Sequence, residues 1–437
     1  MAEKYQLHRM VHELIKSSDE PGLRMTAKYL EGVLRVADEG EPIVYHGFTS
    51  YTDIMVAMDL QTICLEGWDM IGVRVDPDHA IKSIDAGHEA GIPPELCSFD
   101  KAIIGSILRE ILPPPSMIVP SLMPYQNSVI GYQAVGHLTG APLYTPDIPY
   151  YMDDEGAMDY WVRQYKGVIS FLEEHSGRKM DYDRLKEVVE ESNRYVEYWL
   201  EAVELQKLKP APWSGAISIG TQAGIMAFGT PEGTAAVKGV LDQIKDRVAK
   251  GETAVPEEKV RVIWFQLPVF WDTTLMNWMA TELGAVTPFV LFDDYRVEPV
   301  DTSSPEKMIM GMAKRAVETP MGRVGRSDYD LVIEDVFYAL DEFSGDCVIF
   351  ASHPSCKWMS NAFGLMSDVL RKRGIPALMY DVDLMDRRVT SAEESRTCPS
   401  TSSPSTPTAR GVRTIREGTC EETRVCCRRT RRWPGDT

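Results

Sequence analysis

A chain of 437 residues with 44% hydrophobic content is long enough for two or three domains with real cores. Its formal charge of −19 excludes broad binding to a phosphate backbone, which needs clustered Lys and Arg, so nucleic acid is not an expected partner. No run approaches the ~18 apolar residues of a membrane span. The opening MAEKYQLHRMVHELIKSSDE is charged and lacks a signal-peptide core, so a cytoplasmic protein without a membrane partner is expected.

Residues 1–40 read as a helical arm of two helices, with Leu7, Met10, Val11, Leu14 and Ile15 at helical spacing before the break at Glu20, Pro21 and Gly22. Residues 41–152 change to an α/β pattern. PIVYHGF, TSYTDIMVAMDLQ and TICLEGW give strand, helix and strand; SMIVPSL is a buried strand, NSVIGYQAVGHLTG a helix, and APLYTPDIPY a strand entering a Pro-rich loop. Residues 153–209 form a helical bridge, in which Asp181 can cap a helix whose Leu185, Val188, Val189, Ser192, Val196 and Trp199 share one face.

The α/β theme returns in residues 210–394. The Gly-rich SGAISIGTQAGIMAFGTPEG lacks the lysine and spacing of a phosphate loop, and reads as a flexible or close-packed segment, with a lid as the alternative. A helix to Gly251, the strand VRVIWFQLP, a helix containing WMATELG and the strand TPFVLF follow. The expected fold is therefore α/β, with two Rossmann-like parallel-sheet domains, an N-terminal helical arm and a helical bridge. From about residue 395 to 437 the chain loses lysine and amphipathic period, and is expected to be disordered. The break resembles translation in a wrong reading frame or a divergent end. A basic tail or metal site is the alternative, opposed by the adjacency of Cys426 and Cys427 and the lack of C-x2-C spacing.

Residues 346–388 are the most informative stretch: a buried strand, a loop carrying Cys356, an amphipathic helix and a second buried strand. A loop after a strand lies at the carboxyl edge of an α/β sheet, where ligands bind. Cys97, in PELCSFDKAIIGSILRE, likewise precedes a helix. A thiol there feels unpaired N–H groups and the positive end of the helix dipole, which favour thiolate and suit a metal ligand. A small buried hydrophobe is the alternative. Lys357 adds positive charge beside Cys356, and the like placement of the two cysteines favours ligands. Cys64 and Cys347, inside apolar strands, read as core. His353 could bond substrate, but capping and packing are the safer reading. No phosphate loop, G-x-G-x-x-G turn, H-E-x-x-H or G-x-S-x-G elbow occurs, so any ATP chemistry belongs to another chain.

LCSFDKAIIGSILRE around Cys97, the LYTPDIPY segment, and DCVIFASHPSCKW followed by GIPALMYDVDLMDRRVTSAEE together resemble the benzoyl-CoA reductase and 2-hydroxyacyl-CoA dehydratase family. The resemblance runs from about residue 42 to 394, and the C-terminal motif is its most specific part. It implies a subunit that forms a heterodimer with a related subunit and holds a [4Fe-4S] cluster through three cysteines. A separate ATP-hydrolysing activator injects one electron, which reaches an acyl-CoA substrate. In the dehydratases a ketyl radical anion then expels the 2-hydroxyl group; in the reductases an aromatic ring is reduced. Such clusters need thiolates, and such radicals a dry cleft. Cys97 and Cys356 carry over as metal ligands, but the loop after SMIVPS, residues 121–127, has no middle cysteine. Ser121 or Tyr125 is the candidate substitute, or the cluster is absent or incomplete. The expectation is a 2-hydroxyacyl-CoA dehydratase subunit, the beta-like partner rather than the substrate-binding one. A ring-reductase subunit and a metal-free scaffold subunit are the alternatives.

Overall fold

A computed structural model of the chain describes residues 5–390, apart from 49–51, 121–126, 216–226, 266, 292–295, 320–321, 324–328 and 355. Ser121, Tyr125, most of the Gly-rich segment and the tail from 395 lie outside the described residues. Residues 1–394 form one compact unit.

The arm is α1 (Gln6–Ile15) and α2 (Pro21–Glu39). Glu20 caps α2 by accepting from the N–H groups of Gly22 and Leu23, and Pro21 opens the helix where a missing N–H costs nothing. The inward face of α1 is only part of the one its apolar spacing predicted: Leu7, Val11 and Ile15 pack on the core, and Met10 and Leu14 do not. His8, Val11 and Ile15 are buried, while Met10 and Leu14 are 53% and 73% exposed. His8 is the polar residue on the inward face, where its ring stacks on Trp68 at 3.6 Å and its Nε2 meets Trp68 O at 3.2 Å.

The first sheet is parallel, in the order β2-β1-β3, with β1 (Ile43–His46), β2 (Gln61–Cys64) and β3 (Met117–Val119). Between β1 and β2 lies α3 (Thr52–Ala57); between β2 and β3 lie α4 (Leu65–Val75), α5 (Asp78–Glu89) and α6 (Ser98–Leu108); α7 (Asn127–Thr139) follows β3. Strand alternation sends Val44, Met117 and Val119 into one core and Ile43, Tyr45, Ile63 and Ile118 into another. The latter packs on the arm, α4, α6 and α7. The strand expected in APLYTPDIPY is reduced to one bridge, Leu143 to Ile118. Pro142, Pro146 and Pro149 bring no N–H, so a ladder cannot extend there.

The bridge consists of α8 (Ala157–Ser176) and α9 (Tyr182–Leu205), capped by Asp181, with Leu185, Val188, Val189, Ser192, Val196 and Trp199 buried. Then come α10 (Pro231–Lys250), β4 (Val260–Phe265), α11 (Leu275–Leu283), β5 (Ala285–Val290), α12 (Pro305–Glu318), α13 (Tyr329–Glu342), β6 (Cys347–Ser352), α14 (Lys357–Lys372) and β7 (Ala377–Asp381). The second sheet is parallel, in the order β5-β4-β6-β7. Its Ile263, Phe265, Val348 and Phe350 face α13 and α14. Its other face, with Val262, Trp264 and Ala351, shares a core with Met70, Ile84, Cys97 and Phe99 from the first half. The bridge is tied in as well: Ser192 Oγ donates to Asp53 at 2.5 Å, Asp53 pairs with Arg315 of α12, and Trp161 Nε1 donates to Ala313 O at 2.9 Å. Among the described residues no helix is long and apolar enough to cross a membrane.

Candidate active site

Each sheet reverses its strand order beside its first strand, between β1 and β3 and between β4 and β6. Carboxyl ends at such points form the natural crevice of an open α/β sheet. Two buried polar groups of residues gather around these edges.

The first joins the two halves of the chain. Its base is the close approach of α6 to α5 at Gly105, where an added Cβ would lie 1.7 Å from Ser83 O, so glycine is required. Ser106 Oγ and His79 Nε2 both bond Asp69, at 2.8 and 2.9 Å, and fix α6 against α4 and α5. That anchoring presents Cys97 and Ser98 at the start of α6. His353, just beyond β6, faces them with Nε2 3.5 Å from Cys97 Sγ and 3.2 Å from Ser98 Oγ. Ser98 Oγ donates to Asp383 Oδ1 at 2.7 Å, and the same oxygen accepts the N–H groups of Met385 and Asp386 at 2.9 and 2.8 Å. Leu384 N–H donates to His353 Nδ1 at 3.4 Å, and Asp383 Oδ2 lies 3.7 Å from the same nitrogen, so the ring is held from the side away from Cys97 and Ser98. All four side chains are buried. Burial holds the His353 pKa below its ordinary value, with the charge of Lys101 adding and that of Asp383 opposing.

Cys356 caps α14 and is also buried. Its N–H donates to His353 O at 2.8 Å, and its side chain belongs to the apolar cluster of Phe265, Phe350, Met366 and Leu370. His353 thus contacts Cys97 through its ring and Cys356 through its carbonyl. It links the two cysteine loops, and among the described residues its ring makes no cap on α14, so the capping expected from sequence is not what its side chain does. Among the described residues no three His, Cys, Asp or Glu side chains are grouped to hold a metal ion. Two thiols fall short of the ligand set of a [4Fe-4S] cluster, so the described donors alone do not fit that group. Cys347 is partly buried in strand β6, and burial, then Asp346, pushes its thiol up to about 12, as suits core filler. Cys64 is fully buried at the end of β2, with its thiol pushed well up by burial and then by Glu66.

The second group has no counterpart among the residues singled out from sequence. Glu66, two residues past β2, accepts the Tyr132 O–H at 3.1 and 3.2 Å and lies 3.7 Å from Cys64 Sγ. Burial raises its pKa to about 7. Asp100, also buried, is pushed well up by burial and then by Glu66. Burial thus favours the protonated form of both carboxyls, and the charge of Glu66 adds to that effect at Asp100. His46, at the end of β1, donates from Nδ1 to Gly47 O at 2.8 Å, and its buried Nε2 has no hydrogen-bond partner among the described residues. The available signal was a glutamate placed directly after a strand end, at the edge where sites form.

Residues 52–397 match the family model described as 2-hydroxyglutaryl-CoA dehydratase, D-component. The chain is 24% identical over 266 residues to the (R)-phenyllactyl-CoA dehydratase alpha subunit of Clostridium sporogenes, covering 59% of this chain and 62% of that one, less than two thirds of its length. It is 25% identical over 331 residues to a subunit of the benzoyl-CoA reductase of Thauera aromatica, covering 69% and 74%. It is 22% identical over 406 residues to the (R)-2-hydroxyisocaproyl-CoA dehydratase alpha subunit of Clostridioides difficile, covering 89% and 93%.

Proposed function

The chain belongs to the 2-hydroxyglutaryl-CoA dehydratase D-component family, and from that premise we propose that it is a subunit of a 2-hydroxyacyl-CoA dehydratase, a lyase acting on a CoA thioester. The observation that carries the proposal is the extent of the match, which includes Cys97, Glu66, His353 and Asp383 in one family segment. Loss of a 2-hydroxyl group requires a proton for the departing oxygen. A buried carboxyl with a pKa near 7 can hold that proton at neutral pH, and Glu66 is the residue we assign to it. His353 and Asp383 orient Cys97 and Ser98, while Phe48, Phe99 and Phe270, packed edge to face, keep water out.

We retain Cys97 and Cys356 as proposed ligands of an iron–sulfur centre, which when bound would supply the one-electron chemistry. Its remaining donors would have to come from elsewhere, with Ser121 and Tyr125 the candidates in this chain. A related partner subunit, a separate ATP-hydrolysing activator and a cytoplasmic location complete the proposal. The two dehydratase relatives named above are alpha subunits, which supports an alpha-type place in the pair over the beta-like place expected from the absent middle cysteine. The relation to a benzoyl-CoA reductase favours a ring reductase as the second reading.

Anaerobic co-purification with the neighbouring subunit and activator, followed by iron and sulfide analysis and by assays with 2-hydroxyacyl-CoA and benzoyl-CoA, tests these readings. Dehydration of a 2-hydroxyacyl-CoA is expected, with loss of about two orders of magnitude or more in kcat for Glu66→Gln. Turnover of benzoyl-CoA alone would select the reductase. An assembled, iron-free complex active on neither would leave the scaffold.

A further inference from the structure

We propose that the cavity between the loop after β4 and the start of α11 binds the phosphate-bearing nucleotide end of a coenzyme A thioester. The inference rests on the dehydratase reading and deepens it by locating the substrate's handle. The cavity has a volume of about 260 Å³, enough for one end of such a ligand. Arg74, in the last turn of α4, and Arg247, in the last turn of α10, both line it. Two guanidinium groups from distant parts of a chain with a net charge of −19 thus border one cavity.

Arg247 is held in place. Its Nε donates to Pro212 O at 2.8 Å, its Nη2 to Thr253 O at 2.7 Å, and it lies over the Trp213 ring, 5.6 Å from the centroid. Glu252, 3.6 Å from Nη1, offsets only part of its charge, because that carboxylate is half exposed and screened. Arg74 lies over Phe270 at 5.9 Å, and burial pulls its pKa down to about 10. A desolvated guanidinium gains more than an exposed one from a multiply charged oxyanion, which it can bind in bidentate fashion. Asp272 on the same wall repels phosphate but accepts from a ribose hydroxyl or an adenine amine, which a bare phosphate does not offer. That mixed lining favours a nucleotide over an inorganic anion.

Phe270 ties the cavity to the candidate active site. Its ring is 5.7 Å from that of Phe99, which follows Cys97 and Ser98 in the chain and stands edge-on to His353 at 6.2 Å. Its N–H donates to the carbonyl of Leu384 at 3.3 Å, and the N–H of that same residue donates to His353 Nδ1. Two aromatic rings, Phe270 and Phe99, therefore stand between a ligand anchored by the two arginines and the buried polar group.

Adenosine 3′,5′-bisphosphate, the handle without the acyl arm, is titrated calorimetrically against the full chain, against Arg74→Gln, and against Asn277→Trp, which fills the cavity mouth from an exposed position. Each variant should bind about tenfold more weakly, the loss of one charge-assisted contact. Thr273→Trp, exposed on the same rim, replaces either variant if its thermal melt is not that of the wild type. No binding to the wild type, or unchanged affinity in the folded variants, overturns the proposal. ATP or inorganic phosphate binding as tightly as the bisphosphate, and weakened alike, overturns the assignment to coenzyme A. If the bisphosphate binds here as expected and the assembled complex dehydrates no 2-hydroxyacyl-CoA, the dehydratase reading fails while the cavity stands.

Discussion

Cys97 and Cys356 both open helices at the edge where a sheet presents its ligands, and both belong to buried apolar clusters, yet their surroundings come from different parts of the chain. Cys97 meets polar groups brought from the far half of the chain: the His353 ring at 3.5 Å and, through Ser98, the Asp383 carboxylate. Cys356 belongs to the same apolar cluster as Phe265, Phe350, Met366 and Leu370, all from its own half. Similar local sequence therefore sets the backbone of a cysteine loop, and long-range packing decides what its thiol meets. The first thiol faces buried polar side chains. The second is stabilised chiefly by burial.

The largest expected effect is on the apolar side. Phe350 stacks on Phe265 at 4.5 Å, and Phe350→Ala should lower unfolding free energy by about 4 kcal/mol in urea titrations. A loss under about 2 kcal/mol would mean that this wall collapses around the gap and carries little packing. Next comes Asp383→Ala, which strands the Ser98 hydroxyl and the N–H groups of Met385 and Asp386 in a buried place. It should cost about 3 kcal/mol, whereas Asp383→Asn, keeping one acceptor oxygen, should cost about 1 kcal/mol. Equal costs for the two would show that the donors find other partners.

Glu66 gives an effect of similar size that depends on pH. Its pKa rises from the ordinary 4.5 to about 7, so the folded state keeps a proton that the unfolded state has already released. Glu66 therefore weakens stability progressively as pH rises from about 4.5 to about 7, and the penalty is constant above that. The shift corresponds to about 3 kcal/mol. His8 and His46, pushed down to about 3 and about 4 by burial, tilt stability the other way as pH falls below their ordinary 6.5. The gap in stability between wild type and Glu66→Gln, followed by urea titration from pH 4 to 8, isolates the Glu66 part. It should change steadily across that window and level off at neutral pH; a flat gap would show that Glu66 titrates normally.

Much of the architecture was legible because it is written locally. The strands at 43–46, 260–265 and 347–352, the Asp181 cap and the two helix-start cysteines follow from apolar runs, turn residues and capping chemistry within a few residues. Other features depend on partners far away in the chain. Cys97 and His353 are 256 residues apart, so nothing near either one signals their contact. Glu66 and Asp100 carry no mark in the sequence of their burial, and only packing on all sides raises their pKa values. The face of α1 was only partly legible for a related reason: His8 counts as polar in a periodic pattern, yet it stacks on Trp68 and is buried with Val11 and Ile15, while Met10 and Leu14 are exposed.

The smallest effect is also the most direct test of the two thiols, because Cys→Ser changes one atom at each. At position 97 the new hydroxyl would still lie opposite His353 Nε2 and Ser98, so Cys97→Ser should cost less than about 1 kcal/mol. At position 356 the hydroxyl enters an apolar cluster, and Cys356→Ser should cost about 1 to 2 kcal/mol. Both are measured by urea unfolding of the iron-free chain, where ligand chemistry does not contribute. The opposite order, with Cys97→Ser the costlier, would place the polar surroundings around the wrong thiol. Iron content of the same variants, purified anaerobically with the partner subunit, then separates roles: a ligand loses iron whatever its cost in stability, and a packing residue loses stability alone.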